Sequence, residues 1–306
     1  MKKQYDIIGN RKRFFLFSTV LIVFILLFSL VFGVDMDIQF KGGAMLTYGY
    51  EGEASLSAIQ SDIEAALGSR VTLQTGSSIA TGAQTLTISM PGTQTVETTK
   101  VEQLSEVLTE AYPEMNFRQL SMNNVDPTIG GEFFSKSIVA VVAASILILV
   151  YIAVRFKNIG GWPAGCMAIV ALIHDLTVVY GVFVLMRVPL NGNFIASLLT
   201  ILGYSINDTV VIYDRVRENR RLYGNTMDFA TLVNTSINQS LMRSIKTTVT
   251  TLLALGTVCV VSLVYGLDSI FTFAFPLIIG MISGVYSTVC IAGPLWVEWE
   301  LHKKKK

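Results

Sequence analysis

Six stretches of this chain are apolar almost without interruption: Phe14 to Val34, Ser135 to Val154, Trp162 to Met186, Phe194 to Tyr213, Ile245 to Tyr265 and Phe271 to Trp296. About twenty apolar residues are what an α-helix needs to cross a hydrocarbon layer of roughly 30 Å. Between the first and second runs the pattern changes to Gly, Ser, Thr and acids, from Asp35 to about Asp126. Strand-like alternation marks Ala44 to Tyr50, Val71 to Thr75, Thr85 to Met90 (ended by Pro91-Gly92) and Asn116 to Leu120. Helical spacing marks Ser55 to Leu67, through Leu56, Ile59, Ile63 and Leu67, and Val96 to Tyr112, through Val101, Leu104, Val107 and Leu108. The order β-α-β-β-α-β predicts a split βαβ sandwich inserted between the first two spans.

Charge then orients the spans. The formal net charge is +1, yet the segment from Val34 to Lys136 holds about 13 acidic and 5 basic residues, so the remainder is strongly basic. Lys2, Lys3, Arg11, Lys12 and Arg13 precede the first run. A signal peptide would start similarly, but its apolar core is roughly 7 to 15 residues and ends at a small-residue cleavage site, so an uncleaved first span is expected. Arg155, Lys157, the cluster Arg215, Arg217, Arg220 and Arg221, and Lys303 to Lys306 all fall on the side of the basic N-terminus. Positive residues stay inside, which predicts cytoplasmic termini and an acidic domain outside. The expected fold class is therefore an α-helical membrane protein with six transmembrane helices and a small α+β, ferredoxin-like extracytoplasmic domain. Residues 1–34 form the basic tail and first helix, 35–126 the external domain, 127–300 the other five helices with a cytoplasmic loop at about 214–241, and 301–306 a basic tail. An amphipathic surface helix is expected in that loop. Cys166, Cys259 and Cys290 lie inside apolar runs and read as packing residues rather than disulfide or metal partners.

Polar groups inside the spans are the candidates for chemistry, because an ionised carboxylate at bilayer depth costs about 2.5–3.5 kcal/mol on insertion scales. Asn207 and Asp208 occupy the fourth span, His174 and Asp175 the third, and Arg243, Lys246, Thr247 and Thr250 share one face of the fifth. Burial raises a carboxylate's proton affinity and a nearby guanidinium lowers it. An Asp208 that gains and loses contact with Arg243 can thus carry a proton, with Arg243 modulating it. A static ion pair that only sets helix packing is the competing reading. His174-Asp175 reads as a hydrogen-bonding element between helices, with Asp175 a second proton-path candidate. Too few other ligands exist for a metal, since His302 is the one remaining histidine. A hydrolase built from Ser205 and His174 lacks the second glycine of a nucleophile elbow. No phosphate-binding loop is present, and the external domain holds no cluster of nucleophile, base or metal ligands, so the chain is expected to be no enzyme, without catalytic residues, metal or cofactor, and to draw on an ion gradient.

At Gly203 to Asp214, GYSINDTVVIYD, the chain resembles the SecF family, the smaller membrane subunits of the SecD-SecF accessory complex of the bacterial protein translocase. The likeness extends over Asp37-Ile38-Gln39-Phe40-Lys41-Gly42-Gly43, similar to the family's motif opening the external domain with Asp37, Gly42 and Gly43, over Ala171 to Asp175, and over Arg243 to Thr251. Two departures stand out: Val125-Asp126-Pro127 where the family usually has Val-Gly-Pro, and Lys246 at a position often uncharged. The resemblance implies a proton-motive-force-coupled subunit in the bacterial cytoplasmic membrane. It also implies a twelve-span body shared with SecD and similar to the resistance-nodulation-division exporters. The implied partners are SecD, the SecYEG channel, a YajC or YidC-type insertase and an unfolded preprotein taken up by the external domain, with no nucleic acid. By the family's pattern Asp208 and Arg243 are functional. Half of a small-molecule or lipid exporter and a non-transporting scaffold remain the alternatives.

Overall fold

The computed structural model describes residues 5–52, 55–68, 70–77, 84–91, 98–224 and 226–305. The expected helix start at Val96, the Gly92 of the Pro91-Gly92 break, and Lys2, Lys3 and Lys306 of the basic tails lie outside the described residues.

The first long helix, α1 (Arg11–Phe32), is followed by a one-turn helix α2 (Ile38–Lys41) and strand β1 (Gly43–Tyr50). Then come α3 (Leu56–Leu67), β2 (Thr72–Ser77), β3 (Gln84–Pro91), α4 (Thr98–Ala111) and β4 (Arg118–Val125). The strands form one antiparallel sheet in the order β2-β3-β1-β4. Its core lies on one face. Leu46, Tyr48, Leu86 and Ile88 point at Ile59 and Ile63 of α3 and at Leu104 and Leu108 of α4. Leu56, expected on the same apolar face, is exposed, while Ile59 and Ile63 are wholly buried.

Five further long helices follow: α5 (Pro127–Arg155), α6 (Gly161–Leu185), α7 (Gly192–Tyr223), α8 (Phe229–Val264) and a rod made of α9 (Asp268–Ser287), a π-helical turn (Thr288–Ala292) and α10 (Gly293–Lys305). With α1 these are six helices long and apolar enough to cross a membrane, the mark of a multi-pass membrane protein. The apolar windows of α6 and of the α9–α10 rod are 61% and 67% buried, whereas those of α1, α5 and α8 are 11–17% buried. The rod and α6 therefore form the centre, and α1, α5 and α8 present most of their apolar surface outward.

Two elements differ from the pattern-based expectation. Residues 214–241 are not a loop: α7 runs on to Tyr223 and α8 already begins at Phe229, so the expected surface helix is the first turns of the span itself. Asp228 starts α8 by accepting a hydrogen bond from the Thr231 amide at 3.1 Å. Likewise β4 extends to Val125 and α5 starts at Pro127, with Asp126 accepting from the Thr128 amide at 2.8 Å. Asp126 is thus an N-cap for a helix whose first residue is Pro, a favoured pairing.

Candidate functional site

The opening motif of the sheet domain joins it to the helices. Asp37 caps α2 by accepting from the Gln39 amide at 3.0 Å, and burial pushes its carboxyl above the usual carboxylate range. Its own amide donates to the Leu190 carbonyl at 2.9 Å, and Gln39 Oε1 accepts from the Gly192 amide at 2.9 Å, tying α2 to the start of α7. Phe40 packs between Phe133 and Phe134 of α5. Backbones come close here. A Cβ at Gly42 would stand 2.5 Å from Pro127 Cα, and one at Gly130 would stand 3.0 Å from the Gly42 amide. Gly43 opens β1 at φ 135°.

Most of the intramembrane chemistry meets at one turn of α7, Tyr204 to Thr209. Asn191 starts this helix by accepting from the Asn193 and Phe194 amides, and Arg220 and Arg221 sit in its last turn, where the helix dipole favours cations. Tyr204 Oη donates to Thr248 Oγ1 of α8 at 2.9 Å, Ser205 Oγ donates to Asp175 Oδ2 of α6 at 2.7 Å, and Thr209 Oγ1 lies 3.0 Å from Thr288 Oγ1 of the π turn. The turn is hydrogen-bonded to three neighbours.

Asp208, in the same turn, is 5% exposed, and its Oδ2 has no hydrogen-bond partner among the described residues. Ser244 and Arg243 of α8 are the polar groups that reach toward it. No ion pair within 4 Å joins Asp208 to Arg243 among the described residues. Arg243 is exposed and borders a polar crevice of about 500 Å³ with Asp214, Arg215, Glu218, Gln239 and Ser240. Asp214 pairs with Arg155 at 3.2 Å and Arg217 at 2.9 Å, and Arg215 pairs with Glu218 at 2.5 Å. Lys246, Thr247 and Thr250 are exposed along with Arg243, and Asn207 is exposed on α7. The Thr247 and Thr250 hydroxyls bond back to carbonyls of their own helix.

Asp175 is wholly buried and accepts hydrogen bonds from three serines: Ser205 at 2.7 Å, Ser283 at 2.6 Å and Ser287 at 2.6 Å. His174 Nδ1 lies 3.2 Å from the same carboxyl, its Nε2 is buried without a partner, and its ring rests 5.8 Å from that of Tyr286. Ser205 thus donates to Asp175 and not to His174, so the Ser205–His174 pair that a hydrolase would need is not formed among the described residues. Sequence reasoning had singled out Asp175 but not Ser283 and Ser287. The one signal was their spacing of four in an apolar run, which puts both hydroxyls on one helix face.

Residues 103–302 match the family model for the protein export membrane protein SecD/SecF, C-terminal. The protein translocase subunit SecF of Alicyclobacillus acidocaldarius is 34% identical over all of this chain and 96% of its own length. The SecF subunit of Thermobaculum terrenum is 33% identical over 96% of this chain and 94% of that protein. The crystal structure of SecDF, a translocon-associated membrane protein from Thermus thermophilus, superposes with a TM-score of 0.81 at 28% identity, over 98% of this chain and 39% of that longer one. Together with six apolar helices and a small antiparallel sheet inserted after the first, these matches establish that the chain belongs to the SecD/SecF family of protein-export membrane proteins.

Proposed function

We propose that this chain is an accessory subunit of the Sec protein translocase that pairs with a SecD subunit and uses a proton gradient to assist preprotein export through SecYEG. The observation that carries this reading is Asp208: a buried carboxylate with an unsatisfied oxygen, behind a polar stripe on the outer face of a membrane helix. Arg243, Lys246, Thr247 and Thr250 in lipid would be costly, so this face calls for a protein partner. A partner of the same family is supported by the Bacillus subtilis relative named SecDF, of which this chain matches 39% at 30% identity. The crevice that ends at Arg243 supports aqueous access from the end of α7 toward Asp208. Each proton moved through 100 mV supplies about 2.3 kcal/mol, and approach or withdrawal of Arg243 changes how readily Asp208 holds it.

In this reading the chain lies in the bacterial cytoplasmic membrane with both termini and the α7–α8 hairpin cytoplasmic, an orientation that the distribution of Lys and Arg supports. Residues 35–126 form the external domain. The order β2-β3-β1-β4, with a helix after β1 and another after β3, supports a ferredoxin-like module. It is the part offered to an emerging preprotein, and its anchorage through Asp37, Gly42 and Gly43 transmits helix motion to it. No covalent step is required of the chain.

The test is preprotein translocation into membrane vesicles under an imposed proton gradient. Asp208→Asn and Arg243→Ala are expected to lower the rate to the value seen without a gradient, while the SecD-like partner still co-purifies. Gradient-stimulated translocation at the wild-type rate in Asp208→Asn refutes the proton role.

A further inference from the structure

The buried cluster around Asp175 lies on the other side of α7 from the Arg243 crevice, and the proton pathway above makes no use of it. We infer that Asp175 is a positioning residue for Asp208, holding the turn of α7 that carries that carboxylate against α6 and α9 through the Ser205 hydroxyl. The inference rests on the reading of Asp208 as the proton carrier.

Four features lead to it. A carboxyl with no solvent exposure needs donors, and Asp175 finds three hydroxyls from two different helices, Ser205 of α7 and Ser283 and Ser287 of α9. Ser205 precedes Asp208 by three residues, about 4.5 Å along the helix axis, so the two side chains belong to one turn and move together. Of the four hydrogen bonds that tie this turn to its neighbours, two join hydroxyl to hydroxyl, one runs from the Thr288 hydroxyl to the Ser205 carbonyl at 3.5 Å, and that of the Ser205 hydroxyl ends on a carboxyl group. Finally, α9 comes so near that a Cβ at Gly284 would stand 3.2 Å from Ser205 Cβ, which leaves the serine little room to turn away. Just beyond, the rod relaxes into the π turn at Thr288, a feature frequent at functional sites.

A shift of α7 that accompanies proton uptake or release must therefore stretch or carry the Ser205–Asp175 bond. The other titratable or charged groups near this region are His174 on α6, Tyr204 on α7, Arg243 and Lys246 on α8, Tyr286 on α9 and Cys290 in the π turn. Among them only His174 contacts Asp175 directly.

The experiment measures gradient-driven translocation against pH in vesicles that contain the full chain with its membrane partner, for wild type, Asp175→Asn, Ser205→Ala and Asp208→Asn. Ser205→Ala removes one hydroxyl and leaves Asp175 two serine donors, so it keeps the test sound if Asp175→Asn accumulates poorly. Both Asp175→Asn and Ser205→Ala are expected to keep a gradient response but to move its pH midpoint in the same direction by about half a unit, a roughly three-fold change in proton affinity. An unmoved midpoint in both, with only the amount of inserted protein reduced, overturns the inference alone. A full gradient response in Asp208→Asn overturns the functional reading and this inference with it.

Discussion

Gly42 has φ 79° and ψ 166°, a region of backbone space open in practice only to glycine. Placing alanine there costs about 1–3 kcal/mol for the backbone alone. The new methyl would also stand 2.5 Å from Pro127 Cα and 2.6 Å from Pro127 N, backbone atoms that cannot rotate aside. Overpacking of this kind adds about 1–3 kcal/mol, so Gly42→Ala carries a penalty of about 2–6 kcal/mol at the junction between α2 and α5. Gly131, within α5, is the control. A Cβ there meets nothing within 4 Å, so Gly131→Ala is expected to stabilise by about 0.5–1 kcal/mol through helix propensity. The assay is thermal unfolding of the purified chain in detergent together with hydrogen exchange at the amides of Phe40, Lys41 and Gly42, which donate to the carbonyls of Asp37 and Ile38. Gly42→Ala should melt below wild type and exchange faster at those amides, and Gly131→Ala should do neither. Equal melting temperatures and equal protection in the two variants would refute the close-approach argument.

Asp126→Ala removes the cap of α5 and is expected to cost about 0.5–2 kcal/mol in thermal unfolding, whereas Asp126→Gly should cost only a few tenths. Asp228 is held below the usual carboxylate range by hydrogen bonds from the Thr231 side chain and amide. A depressed carboxyl stabilises the folded state above its unfolded value near pH 4 and loses that contribution as pH falls through the folded value. Amides in the first turn of α8 should therefore exchange faster below about pH 4 than their intrinsic rates require, and Asp228→Asn should keep the cap but lose the pH dependence.

How much of the candidate site could be read from the chain depended on the kind of residue. Charged side chains inside apolar runs are costly enough to stand out, so Asp208, Asp175 and Arg243 were visible at once. The partners of Asp175 were not, because a serine in an apolar run is cheap and common, and only burial against a carboxylate distinguishes Ser283 and Ser287 from any other. The sequence reading has Asp208 gain and lose contact with Arg243, and in this structure Arg243 borders the polar crevice while Asp208 is buried beside Ser244 of α8. The azimuth of one helix against the next is set by packing over its whole length, which local spacing does not contain.

The sequence by itself determined the six membrane helices, the β-α-β-β-α-β order and which residues are costly to bury, because each follows from a local period or a transfer free energy. Only in the tertiary structure is it fixed which helices form the centre, that α7 runs on to Tyr223 and α8 already starts at Phe229, and that Asp175 is satisfied by three hydroxyls while Asp208 Oδ2 has no partner among the described residues. Those outcomes depend on which faces of separate helices meet, and that is a property of the packed assembly.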